Sequence, residues 1–280
     1  GRTTRADAKW ITDLANKAQD DVQRNASITL PVVTYYGTGR LWVQIRDRKV
    51  ESIGPQSRLM GYLDCLNPAS DEKRLIEWFK THELIALQRK QTIHILEACR
   101  KAIVSCVPNA TDVYFDFEMD QLVLQRNGEV MPFYFLSDGY RNTLAMVADI
   151  AVRAATLNPA LGADAAEKTP GVVLIDEIDL HLHPRWQRQL IEDLLTAFPR
   201  IQFNATSHSP FIIQSLPVSE ETRLINLDDE EADDYAHQSV EDITEAVQGV
   251  ELPQRSQRFL DMMETAERYY ALLKNAETAS

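Results

Sequence analysis

Several things are scarce in this sequence, and each absence excludes something. Cysteine occurs three times, at Cys65, Cys99 and Cys106. An odd count without metal-like spacing argues against a disulfide framework and points to a reducing, cytosolic setting. No apolar run approaches the roughly 20 residues a membrane helix needs, and no secretory leader is visible. No low-complexity tract or internal repeat interrupts the chain. At 44% hydrophobic and 25% charged, its 280 residues have the composition of one large folded domain or two ordinary ones. Positive charge is scarce only locally. The chain has 42 acids against 29 bases, but residues 220–280 alone hold 16 acids and 5 bases. The acidity therefore belongs to the tail, and the rest is nearly balanced. A basic nucleic-acid surface elsewhere is not excluded, and no basic cluster demonstrates one.

What is present reads as alternating elements. Residues 5–24 have the spacing of a polar amphipathic helix, with Trp10, Ile11, Leu14 and Ala18 on one face. A strand is expected over 27–36, broken by Gly37-Thr38-Gly39-Arg40 and resuming at 41–45, then a loop over 47–69. One helix or two fill 70–107, with an apolar face that includes Leu75, Phe79, Leu84, Leu87, Leu96 and Ile103. The pattern then changes to period two. A small antiparallel sheet is expected at 111–135, with Asn127-Gly128 as its hairpin turn. A helix over 137–157, a strand at 171–176, a helix from Pro184 to about 197 and a strand at 201–206 follow; a further strand is read at 224–227. Strand–helix–strand alternation implies a parallel sheet covered on both faces. An acidic loop at 228–234 and helices near 239–248 and 255–274 close the chain.

Three segments carry chemistry. Leu136-Ser137-Asp138-Gly139 lies at the start of a long helix. Unpaired N–H groups, a serine hydroxyl and a glycine without Cβ would let a phosphate approach there; the alternative is an ordinary serine cap. Val172-Val173-Leu174-Ile175-Asp176-Glu177 delivers two carboxylates to the carboxyl end of a strand, where open α/β sheets bind ligands. Asp176 suits a magnesium ion, and Glu177 suits the orientation of an attacking water. The alternative is a solvated acidic turn. Thr206-Ser207-His208-Ser209-Pro210 ends the next strand, and His208 could hydrogen-bond a γ-phosphate or only cap the following helix. His181 and His183 are too few for a zinc site, because no cysteine pair completes a tetrahedral set.

With these segments in this order, the sequence resembles an ABC-type ATPase of the RecF/SMC-like branch. LSDG looks like the signature motif, VVLIDE the Walker B strand, Asp179-Leu180-His181-Leu182-His183-Pro184 the D-loop, and His208 the switch histidine. Residues 31–42, 61–78 and 239–259 are similar to a narrower bacterial group, the PtuA-type ATPases of Septu and retron anti-phage systems. The fold implied is a P-loop NTPase-like head, a parallel sheet flanked by helices, with a helical insertion, a small antiparallel sheet and a helical tail. The divisions expected are a remnant N-terminal lobe (1–46), a helical lobe (47–110), a catalytic core (111–227) and an acidic tail for partner docking (228–280).

The resemblance further implies ATP and magnesium as cofactors, in a head-to-tail homodimer or higher homo-oligomer. Ser137, Asp138 and Gly139 would face the partner's nucleotide, Asp176 would hold magnesium, and Asp179 would lie on the D-loop between sites. Glu177 would polarise the hydrolytic water, and His208 would contact the γ-phosphate. The partners implied are an HNH nuclease and, in the retron version, a reverse transcriptase with its DNA–RNA product, with no membrane partner. A RecF-like DNA-repair ATPase and a non-hydrolysing scaffold of the same fold are the alternatives. Gln44 is a candidate for the family's coupling glutamine. One departure matters: no G-x-x-x-x-G-K-[ST] phosphate loop occurs in these residues. The first residue is Gly, and the simplest explanation is an N-terminal lobe lying outside this sequence; a degenerate subunit is the second.

Overall fold

The structure, a computed structural model, describes residues 9–24, 26–41, 57–66, 72–227, 238–246, 249, 258, 261–266 and 268–269. The chain divides into two compact units, Gly1–His208 and Ser209–Ser280. The first unit holds two sheets. The parallel sheet has the order β1 (Val32–Tyr36), β5 (Gly171–Ile175), β6 (Ile201–Ala205), so the strand preceding the two carboxylates is central. Its register pairs Tyr36 with Ile175 and Ile175 with Ala205, which brings three carboxyl ends to one edge. The antiparallel sheet runs β2 (Ala110–Asp116), β3 (Gln121–Arg126), β4 (Glu129–Pro132). The β3–β4 turn is the expected Asn127-Gly128, both at positive φ (52° and 81°), as a type I′ hairpin requires.

Helix α4 (Asp138–Leu157) is the central post. Twelve of its residues are buried, too many for a surface stripe, and five of these are alanines that let neighbours approach. It packs against α3 (His94–Ser105), β1 and the 3-10 turn Arg58–Tyr62. Beyond its end, the buried Asn158 amide accepts from the Leu30 N–H (2.7 Å) and donates to the Leu30 carbonyl (2.8 Å), fixing the approach to β1. Helix α2 (Glu72–Arg89) ends where Lys90 adopts a left-handed φ of 50°, so the apolar stretch at 70–107 forms two helices. A short helix α5 (Ala165–Lys168) precedes β5, and α6 (Pro184–Ala197) makes the crossover from β5 to β6. In the second unit, α7 (Pro210–Gln214) and α8 (Val240–Ala246) share a small cluster of Ile213 and Ile243.

Some expectations need correction. Leu224–Leu227 is not a strand, because no strand among the described residues offers a ladder to this short apolar run. The first strand starts at Val32 rather than at residue 27, since residues 26–31 have no strand partner. On α2, Leu84 and Leu87 are exposed, so the stripe read through 75–103 covers less core than its spacing suggests. Helix α1 (Lys9–Gln23) buries none of its residues. The segment 47–69, read as a loop, contains the 3-10 turn at 58–62, and 159–168 holds two further helical turns that its Pro, Gly and Asp content concealed. The strand expected to resume at 41–45 falls on a 3-10 turn at Thr38–Leu41 and then outside the described residues. Gln44 and the acidic loop 228–234 also lie outside them.

Candidate functional site

The chemistry-bearing residues gather at the carboxyl edge of the parallel sheet. Asp176 follows the last residue of β5, and its N–H donates to the Tyr36 carbonyl of β1 (2.8 Å). Thr206 follows the last residue of β6, and its N–H donates to the Ile175 carbonyl (3.0 Å). The ladder thus continues past the strands and sets the two loop starts side by side. The Thr206 hydroxyl donates to Asp176 Oδ1 (2.6 Å) and accepts from the Glu177 N–H (2.9 Å). Next along, the Ser207 hydroxyl donates to Asp179 Oδ1. Glu177 sits at φ 47° and His181 at φ 59°, left-handed conformations that non-glycine residues adopt at a cost. The turn from 177 to 182 is held by Leu180 N–H to the Glu177 carbonyl and Leu182 N–H to the Asp179 carbonyl (both 2.9 Å). His183 caps α6, its Nδ1 accepting from the Arg185 N–H (3.2 Å). That gives one member of the histidine pair a structural role, and no metal-ligating cluster occurs among the described residues.

The LSDG segment meets the same turn from below. A Cβ on Gly139 would lie 2.2 Å from the His181 carbonyl oxygen, so glycine is required for the start of α4 to touch the 177–182 turn. Gly139 is buried there, whereas Ser137 and Asp138 are exposed. Ser137 occupies the N-cap position of α4, but its side chain makes no capping bond, which sets the ordinary serine cap aside. Asp138 pairs with Arg141 one turn on. Directly behind, Tyr140 stacks on Trp186 of α6 (centroids 4.2 Å apart, 15° between planes) and donates to the Cys106 carbonyl (2.7 Å). Burial pushes the Tyr140 hydroxyl and the Cys106 thiol upward, the latter to about 12. Asp193, which lines a small cavity with Cys106, Tyr140 and Trp186, is raised to about 7 by burial and by the neighbouring Glu192 charge.

The structure therefore brings Asp176, Glu177, Asp179 and His208 to one edge, and joins Gly139 to that edge through the His181 backbone. Thr206 and Ser207 were missed as contributors. Their signal was only that successive side chains at a strand end project to different neighbours. The carboxylates fit a magnesium ion: a hard oxygen donor stands at the strand end, one of its oxygens oriented by a hydroxyl. The exposed Ser137 hydroxyl at the start of a 20-residue helix fits a phosphate.

Comparisons with known proteins agree with the motif reading. Residues 110–214 match the family described as AAA domain, putative AbiEii toxin, Type IV TA system. The Retron Vc95 probable ATPase of Vibrio cholerae serotype O1 biovar El Tor is 42% identical over 108 residues, covering 39% of this chain and 20% of that protein. The Retron Ec83 probable ATPase of Escherichia coli is 37% identical over 126 residues, 45% of this chain and 22% of that protein. Septu protein PtuA of Bacillus mycoides (strain KBAB4) is 34% identical over 174 residues, 56% of this chain and 23% of that protein. The chain spans only about a fifth of the length of these relatives. Among solved structures, an SMC head bound to the C-winged-helix domain of ScpA shares a local likeness (TM-score 0.28, 15% identity, 42% of this chain and 35% of that chain). The chain is a mixed α/β protein, its parallel sheet flanked by helices, and it is similar in sequence to probable ATPases of retrons and to Septu protein PtuA.

Proposed function

We propose that this chain carries the signature, Walker B, D-loop and switch segments of an ATP-hydrolysing switch protein in a bacterial anti-phage defence complex. The observation that carries the reading is the joined carboxyl edge. Asp176 and Glu177 at the end of β5 are hydrogen-bonded to the β6 end that leads to His208. Phosphoryl transfer to water needs positioning and charge stabilisation more than covalent chemistry, and this edge offers both. Magnesium, held by Asp176, supplies neutralisation of phosphate charge. Glu177 orients the attacking water and accepts its proton, and His208 donates a hydrogen bond to the terminal phosphate. Ser137 and Gly139 serve a nucleotide held by a second copy in a head-to-tail pair, and Asp179 lies between the two sites. The phosphate loop comes from chain outside these 280 residues.

The finer part of the reading concerns partners. The acidic stretch 228–280 docks a partner, in the first instance an HNH nuclease that the ATPase restrains or licenses, with a reverse transcriptase and its product in a retron setting. The relatives' association with retron and Septu systems supports this, and the setting is the cytoplasm. No helix among the described residues is long and apolar enough to cross a membrane. Truncation after Leu227 abolishes partner co-purification while the head stays folded; undiminished co-purification refutes the docking role.

The catalytic reading is tested with Glu177→Gln in the full-length gene product. ATP turnover should fall by at least about a hundredfold while nucleotide binding persists. A second reading, a non-hydrolysing assembly subunit, predicts no effect of this substitution. A RecF-like repair ATPase would instead bind DNA on its own with a steep salt dependence.

A further inference from the structure

We infer that Thr206 is a positioning residue for the two carboxylates, an inference that rests on the proposed function and adds to it a residue to which that function gives no role. A threonine hydroxyl has one proton to give and two lone pairs. Here the proton goes to Asp176 Oδ1 at 2.6 Å, and one lone pair receives the Glu177 N–H at 2.9 Å. A single side chain just past the end of β6 therefore fixes both the carboxylate of one residue and the backbone of the next just past the end of β5. The second bond matters more than its length suggests. Glu177 stands at φ 47°, a region a glutamate enters only when its surroundings hold it there. The backbone neighbours on either side are tied by ladder bonds. Asp176 N–H donates to Tyr36, and Ile178 N–H donates to the Thr206 carbonyl at 2.9 Å. Glu177 N–H is the one of the three that depends on a side chain for its bond.

The consequence is mechanical. His208 lies two residues beyond Thr206, and Ser207 between them holds Asp179. The Thr206–Ser207 pair thus ties the switch-histidine segment to the carboxylate pair and to the following turn. A displacement of the β6 end would carry the Glu177 side chain with it.

Amide hydrogen exchange in the 280-residue chain without nucleotide tests this. Thr206→Val keeps the shape and removes both bonds, and the Glu177 N–H should then exchange about tenfold faster. Thr206→Ser keeps the hydroxyl and should stay within about twofold of the parent. The Ile178 N–H, bonded to the Thr206 carbonyl, is the internal control and should be unchanged in both. Unchanged Glu177 exchange in Thr206→Val overturns the inference, as does failure of Thr206→Ser to restore protection. Equal acceleration at Ile178 also overturns it, because the substitution would then merely fray the strand. In the full-length protein, Thr206→Val should lower kcat for ATP at unchanged KM, and a change in KM alone contradicts positioning. Since the exchange measurement uses no nucleotide, a full-length protein that fails to hydrolyse ATP refutes the proposed function and not the latch.

Discussion

The two sheets of the first unit differ in how their second faces are covered. The antiparallel sheet buries Val113, Phe115, Leu122 and Leu124 on one face, and its other face carries the half-buried Asp112, Asp116 and Gln125 around a fully buried Val123. The parallel sheet buries Thr34, Tyr36, Val173 and Ile175 against the α4 side. Its other face presents Val33, Val172 and Leu174, at 40%, 38% and 43% exposure. Register places Val33 beside Val172, so these apolar side chains adjoin one another. Parallel strands are normally covered on both faces, so the partial exposure of this apolar face among the described residues sets it apart from its opposite. The difference separates a packed face from a half-open one. The covered side holds α4, α6 and the Gly139 contact.

Substitutions on the two faces should separate most widely. Ile175→Ala, on the covered face, should cost about 2–5 kcal/mol of stability in urea unfolding of the 280-residue chain. Leu174→Ala, its neighbour on the open face, should cost less than about 1 kcal/mol. Equal costs would mean that the open face is covered within this chain, and the comparison would fail.

The next effect sharpens what the covered side does. Gly139→Ala drives a Cβ to 2.2 Å from the His181 carbonyl oxygen, where only backbone can yield. A loss of about 1–3 kcal/mol is expected, with faster amide exchange at Leu180 and Leu182. Full stability with unaltered exchange would show that the α4 start and the 177–182 turn do not bear on each other.

The smallest effect is in pH. Asp193 is raised to about 7 in the folded protein by burial and by Glu192, against about 3.9 when unfolded. The folded state therefore binds the proton more tightly. Its contribution is fully present below about pH 4 and is lost as pH rises through about 7. Asp193→Asn should flatten the pH dependence over that window and stabilise the protein by about 1 kcal/mol at pH 8, allowing for partial solvent screening. An unchanged slope would show that Asp193 is solvated in the folded state.

Legibility in the sequence followed the range of the physics. Asn127-Gly128, Pro184 and the β5 run act through local sterics and burial, and each marked its element where the structure has it. The order of LSDG, VVLIDE, DLHLHP and TSHSP pointed to the family of relatives because the motifs lie close together in sequence. What stayed hidden depends on contacts between distant segments. The reason for Gly139 lies in the backbone of His181, 42 positions away, and the use of Thr206 depends on strand register. Leu224–Leu227 failed as a strand because apolar content says nothing about whether a neighbouring ladder exists.

The central claim is that Ser137 and Gly139 serve a nucleotide bound by another copy, while Asp176 and Glu177 act on the chain's own. Sedimentation velocity of the full-length Glu177→Gln protein, with and without Mg–ATP, tests this most directly. The account predicts a stable dimer or higher oligomer formed only with Mg–ATP and lost when Ser137→Arg is added. An oligomeric state that ignores both the nucleotide and Ser137→Arg would contradict it.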